Sequence, residues 1–427
     1  MKKISIALIA FSLVTGCSDE VKTLPTNLVT PQATGTTASD SIPVFSQKTN
    51  VKPPDDLILE TPETVEIYEF MTISDFVRQA NVEILNGERM LDTSEMGEHE
   101  IYINCRCSYG EFQQKVKYTV ADTTAPTLLN MGVSPYVTKG TDFDLKKIVG
   151  YADNCDPVPV LTYDGEVDTE TIGNYPITAH VTDSSGNETS WDMTVVVLNE
   201  TPSSDFSGEW TPDYSDGTPF TDFIETYAGE DRKFGIDVST WQGDIDFNAV
   251  KNAGCDFVII RMGYFYDEIK QDDWYAENIR KAREAGLEVG IYFYTTLNSA
   301  DNVKELASYI NETLDGQELD FPVAFDWEEF TTFQEYNISL HDLNELFNLF
   351  CAEMESYGYS AMLYSSKNFL LNSWTNNYNE PVWLAHFVDE TDYTGDYFMW
   401  QASSTGLIDG IEGYVDMNIL YTDKLNK

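Results

Sequence analysis

Two small all-β sandwiches followed by an α/β barrel is the architecture this sequence predicts, and three observations predict it. Residues 56–200 run in short stretches of alternating polar and apolar residues, and the pattern repeats at an offset of 76. From Phe234 onward the texture changes to strand-like runs separated by helix-like ones, with eight strand-like runs in all. The chain has 427 residues, 42% of them hydrophobic and 13% aromatic, which is enough for several cores and too much for one ordinary domain.

The first 16 residues read as a targeting segment rather than as part of a fold. Lys2 and Lys3 precede an apolar run, Ile4 to Val14, that is shorter than the roughly 20 residues of a membrane-spanning helix. Val14-Thr15-Gly16-Cys17 resembles the bacterial lipoprotein lipobox. The resemblance implies cleavage before Cys17, lipidation of that cysteine, and a protein anchored to a membrane face, outside the cytoplasm, rather than spanning it. Residues 17–55 are rich in Thr, Ser, Pro and Asn and read as a disordered tether.

Residues 56–123 and 124–200 are the two sandwich modules. Gly97, Ile101, Ser108, Gly110 and Val120 recur as Gly173, Ile177, Ser184, Gly186 and Val196. In each copy two alternating strands follow one another, EHEIYINC then QKVKYTV, and NYPITAHVTD then WDMTVVV. The second copy, through DTTAPTL, YADNCDPVPVLTY and TIGNYPITAHVTDSSGN, resembles bacterial immunoglobulin-like surface modules; the first is a divergent relative of it. The resemblance implies a spacer or a binding arm. Acids near Asp153 and Asp156 suit either calcium or turn formation. Residues 201–230 read as a second linker.

Composition excludes some partners. With 25 basic and 72 acidic residues the net charge is −47, spread along the chain, which repels nucleic acid. Neither C-x-x-C nor H-E-x-x-H occurs and the four histidines are scattered, so the sequence offers no metal site and calls for no cofactor. Cys105 and Cys107 lie too close along one strand to bond each other, though either can pair with Cys155; Cys255 and Cys351 read as core thiols. Nothing resembles a dimerisation helix, so a monomer is expected.

Residues 231–427 form the third region. FGIDVS, CDFVIIRMGY, EVGIYFYTT, FPVAFDWE and AMLYSS alternate with four helical patterns, and PVWLAHF, DYFMWQAS and GYVDMNIL follow as three further strands. Five β/α units and three strands predict a closed eight-stranded barrel, whose chemistry sits where the strands end. FPVAFDWE is the most informative stretch, because Asp326 and Glu328 stand two residues apart on a strand and so face the same way. Two adjoining carboxyls suit glycoside cleavage, one protonating the leaving oxygen and the other supporting the positive charge on the sugar. Asp237 and Asp416 fall at other strand ends, and Tyr292, Tyr294, Tyr364, Trp383 and Trp400 supply flat faces for sugars.

The order F-G-I-D-V-S-x-x-Q-G-x-I-D, F-D-W-E, W-L-A, W-Q and G-x-V-D-M-N, over residues 231–423, resembles the glycoside hydrolase family 25 lysozymes, the N-acetylmuramidases. The resemblance implies a (β/α)5β3 TIM-like barrel and cleavage of the β-1,4 bond between N-acetylmuramic acid and N-acetylglucosamine in peptidoglycan glycan strands. It implies Glu328 as general acid, Asp326 as its partner, Asp237 and Asp416 as outer acids, and Gln242 as a substrate contact. Two positions depart from the family pattern, Phe293 for His and Ala402 for Tyr, and both are expected at the sugar-binding rim. The competing readings are a wall-glycan-binding surface lipoprotein without catalysis, and a hydrolase of another amino-sugar polymer such as chitin.

Overall fold

A computed structural model describes residues 51–129, 135–199, 216–374 and 380–424. Cys17, the apolar leader and most of the tether lie outside the described residues.

Strand alternation builds the third region into a cylinder. Its strands are β1 (Arg232–Val238), β2 (Phe257–Phe265), β3 (Glu288–Thr295), β4 (Val323–Trp327), β5 (Ala361–Ser366), β6 (Val382–Ala385), β7 (Met399–Leu407) and β8 (Val415–Tyr421). β1 to β7 run parallel; β8 is antiparallel to both β1 and β7 and closes the ring. Between the first six strands lie α1 (Phe247–Asn252), α2 (Tyr275–Glu284), α3 (Ala300–Leu314), α4 (Leu340–Ser356) and α5 (Lys367–Asn372). The last, Lys367–Asn372, is six residues long and is not among the four helical patterns of the sequence.

Two apolar layers follow from the period of two. Ile259, Ala324, Met362, Met399 and Leu420 point inward and fill the cylinder. Their neighbours Val258, Ile260, Phe325, Leu363 and Ile419 point outward and pack beneath the helices. Gly235 makes room for the inward Phe257, since a Cβ there would lie 2.4 Å from that ring.

The expected linker over 201–230 ends earlier than its composition implies. Phe220–Tyr227 is a helix whose Phe223 and Tyr227 pack on Phe234 and Trp400 of the barrel wall. The polar Thr, Asp and Glu between them are its solvent face.

The two modules share one plan. Each has a long hairpin, Gly97–Cys107 with Gly110–Ala121 and Gly173–Thr182 with Glu188–Leu198. Each adds a short N-terminal strand in parallel to the second arm, Thr64–Glu66 and Tyr136–Thr138. Each buries its own core. Cys105, Cys107 and Cys155 are free thiols here, and Cys155 packs against the first module's core.

The second module grips the segment that follows β4. Gln334 Nε2 donates to the Lys146 and Val149 carbonyls at 2.7 and 3.3 Å, and its Oε1 accepts the Tyr151 amide at 3.3 Å. The first amides of α4, Leu340 and His341, donate to the Asp153 and Asn154 carbonyls at 2.8 and 3.1 Å. Helix-start amides have no partner within the helix, so the module supplies one. Gly150 permits the close approach, because a Cβ there would fall 1.9 Å from the Phe330 carbonyl oxygen. The first module reaches the same place, where Tyr68 stacks on His341 with ring centroids 3.5 Å apart. Among the described residues no helix is long and apolar enough to cross a membrane.

Candidate active site

Carboxyls from three strands converge at the end of the cylinder where β1 to β7 finish. Asp326 lies on β4 and Glu328 just beyond it, both facing inward; Trp327 between them faces outward. That indole donates to the Leu297 carbonyl at 3.0 Å and sits among Phe330, Phe333 and Tyr336. The D-W-E order therefore anchors the backbone behind the two acids it presents. Asp237 on β1 lies opposite Asp416 on β8 in register.

The acids form two hydrogen-bonded pairs. Asp416 adjoins Asp237, and Asp326 adjoins Glu328, so each acid acts on its neighbour's ionisation. Burial is the leading cause of the raised pKa in all four. It lifts Glu328 to about 7, with the negative charge of Asp237 adding to it. Asp326 and Asp416 are held well above the usual carboxylate range, each by burial and by a neighbouring acid. Asp237 rises less, to about 6, because Asn418 Nδ2 and Gln401 Nε2 both donate to its Oδ2 at 2.8 Å. Arg261 on β2 opposes the rise at Asp326 and is itself held by Asp272 at 2.8 Å. Asp272 also accepts the Thr240 amide at 2.9 Å, so this ion pair fixes the turn after β1.

The expected aromatic rim separates into three groups. Tyr292 and Tyr364 line the pit, and burial among its acids keeps their phenols neutral. Tyr364 donates to Gln401 Oε1 at 2.9 Å. Tyr294 stands at the lip beside Tyr266, with ring centroids 5.6 Å apart. Trp383 forms the floor: it is 1% exposed, donates to Asn418 Oδ1 at 2.8 Å and meets Tyr364 edge-on. It has no open face for a sugar. Trp400 faces the other way, into the layer beneath the helices, where it donates to the His386 carbonyl at 2.8 Å. Its neighbour Met399 takes the inward position, so strand alternation excludes Trp400 from the pit.

Gln242 also has another task. Its Oε1 caps the Ser239 amide at 2.9 Å and its Nε2 donates to the Tyr414 carbonyl at 3.3 Å, which holds the turn. Phe293 and Ala402 lie behind the wall, not at the rim: both are buried in the outer layer, Phe293 against Tyr309 of α3.

Several contributors were not singled out from the sequence. Gln401 and Asn418 hold Asp237; they are two residues along from Met399 and Asp416, and that spacing was the available signal. Trp241, Tyr266 and Phe387 follow the ends of β1, β2 and β6 and are 81%, 49% and 51% exposed. They are the open aromatic faces around the mouth. A groove of about 1090 Å³ opens at the other end of the strands, between Gly316–Pro322 and Tyr393–Phe398, and contains none of the four acids.

Comparison with known proteins follows this division. Residues 236–411 match Glycosyl hydrolases family 25, and residues 129–197 match the Bacterial surface protein, Ig-like domain. An autolytic lysozyme of Clostridium acetobutylicum is 30% identical over 188 residues, 43% of this chain and 54% of its own length. Lysozyme M1 of Streptomyces globisporus is 28% identical over 199 residues, 43% of this chain and 66% of its own length. The chain thus spans about half the length of the first of these relatives. A crystal structure of a bacterial lysozyme from Streptomyces coelicolor is 26% identical, with a TM-score of 0.38, over 44% of this chain and 90% of that one.

Proposed function

We propose that this chain, whose residues 236–411 form a glycosyl hydrolases family 25 domain, is a peptidoglycan hydrolase that cleaves the β-1,4 bond between N-acetylmuramic acid and N-acetylglucosamine. The observation that carries the reading is the Asp326–Glu328 pair, two adjoining inward carboxyls at the open end of the cylinder, with burial lifting Glu328 to about 7. Glu328 acts as the acid. Asp326 takes the carboxylate form as positive charge grows on the sugar, favoured there by Arg261. Glu328 gives its own proton to the leaving oxygen, while Asp326 supports the charge on the ring. Asp237 keeps negative charge near the pit, which holds the Glu328 proton in place, and Asp416 adjoins Asp237. Tyr292, Tyr294 and Tyr364 contact the sugar from the wall.

Five strand–helix units followed by three strands support the (β/α)5β3 form of the barrel. The shared plan of the two modules supports immunoglobulin-like folds for both, with residues 56–123 as the divergent copy. A bacterial surface Ig-like module beside a wall hydrolase supports a place outside the cytoplasm, with Cys17 as the lipid anchor. We read the molecule as a monomer that needs no cofactor for the chemistry.

Purified protein on purified peptidoglycan tests the reading, with Glu328→Gln alongside and fragments reduced and weighed by mass spectrometry. Reducing-end muramic acid, lost in the variant, is the expected result. Reducing-end glucosamine would mean another bond is cut. Wall pull-down without release would favour a binding protein, and turnover of chitin oligomers in preference to peptidoglycan would favour a different polymer.

A further inference from the structure

A second group of acids sits where the two β-modules meet, apart from the barrel's pit. Asp122 follows the last strand of the first module, Asp153 lies in the YADNCD turn of the second, and Asp183 opens its DSSGN turn. Each offers a carboxylate oxygen within 4.8 Å of the other two. Their side chains are buried, at 6%, 1% and 7% exposure.

Hydrogen bonding leaves part of this cluster unsatisfied. Asp183 accepts the Asn187 amide and Nδ2, both at 2.8 Å. Asp153 Oδ2 accepts the Cys155 and Asp156 amides at 2.9 and 2.7 Å. Asp153 Oδ1 and Asp122 Oδ1 are buried and accept nothing, and neither does Asn154 Oδ1 one residue along. Unpartnered acceptors this deep are destabilising, and more so when they carry charge. The charges acting on Asp153 are those of Asp122 and Asp183, which raise the cost further. Buried oxygens of this kind lack a positive centre, not another acceptor. A calcium ion takes oxygen ligands at about 2.4 Å, so two of its ligands stand at most about 4.8 Å apart, and the three carboxylates offer oxygens within that reach of one another. The three candidate ligands are all carboxylates, the hard donors that select calcium or magnesium over zinc or copper.

We propose that Asp122, Asp153 and Asp183 bind one calcium-sized divalent cation at the joint between the two modules. Asp156, the other acid noticed in the sequence, is a turn former: its carboxylate accepts the Val158 and Ser184 amides at 2.8 and 2.7 Å. The ion ties the end of the first module to two loops of the second. Through the Asp153 carbonyl, which accepts the Leu340 amide at 2.8 Å, the joint continues to α4 of the barrel. This site is independent of the barrel's chemistry, and its test does not depend on activity.

The test is isothermal titration of chelator-treated full-length protein with calcium chloride, and then magnesium chloride, with thermal unfolding in parallel. One calcium per chain and a rise in unfolding temperature of about 5 °C at saturation are expected. Asp153→Asn and Asp122→Asn should each weaken binding at least about tenfold and remove the temperature rise. Absence of heat and of any shift up to about 10 mM calcium, beyond the weakest affinities of extracellular modules, overturns the proposal. So does a calcium response that survives in both variants, which would place the ion on the acidic surface. Wild-type titration stands on its own if a variant fails to fold.

Discussion

Replacing Glu328 by Gln should stabilise the protein while destroying its activity, and the gain should depend on pH. Burial lifts the Glu328 carboxyl from 4.5 to about 7. The sign follows from linkage. Below pH 4.5 the folded and unfolded chains both carry the proton, and the site costs nothing. Between 4.5 and about 7 the unfolded chain releases it and the folded chain retains it, so stability falls as pH rises. Above about 7 the full penalty applies. A difference of about 2.5 pH units, at about 1.4 kcal/mol each, caps it at about 3.5 kcal/mol. Glu328 is half-buried at the strand end, so solvent screening brings the expected figure to about 1.5 kcal/mol. Gln removes the charge, and its amide can donate to Asp326. For a barrel of this size the gain is about 3–6 °C in unfolding temperature at pH 8 and nothing at pH 4. Scanning calorimetry of the two proteins at pH 4, 6 and 8 measures it. A fall at pH 8, or an equal change at all three values, would refute the account of Glu328 as a carboxyl held protonated at a stability cost.

The same proton sets the rate: kcat/KM should fall about tenfold per pH unit above about 7, as Glu328 ionises, in a pH profile on soluble glycan fragments. A flat profile to pH 9 would count against Glu328 as the acid. Trp241→Ala should leave unfolding within about 1 °C, since the side chain is 81% exposed, and raise KM about tenfold by removing an open stacking face. An unchanged KM would place the sugar elsewhere. Asp326 and Glu328 touch, which leaves no room between them for an attacking water, so the product should keep the anomeric configuration of the substrate. Nuclear magnetic resonance of the fresh product distinguishes this from inversion.

Much of the fold was legible because its signals are local. Strand alternation and four amphipathic helices marked the barrel, and repeated glycines at 97 and 173 marked the paired hairpins. The acid pair was legible for the same reason, as two residues on one strand share a face. What escaped depends on which side of a strand faces in, and on contacts between distant segments. Trp400 and Trp383 look equivalent as letters, yet one lies behind the wall and the other beneath the pit. Gln242 reads as a polar residue near the site, but its amide is committed to the Ser239 turn. The helix at Phe220–Tyr227 is hidden by its polar face, and the grip of Gln334 on Lys146 spans 188 residues.

That grip means the barrel's limits in sequence are not its limits in mechanics. The backbone that carries the acid pair at one end is held at the other by carbonyls of the second module. A pull on the modules is carried in part by the segment beside Glu328, and in part by α5, where Asn368 Nδ2 donates to the Leu129 carbonyl. The module is therefore a handle on the catalytic loop as well as a spacer, and tension along the chain and the shape of the pit are properties of one mechanical element.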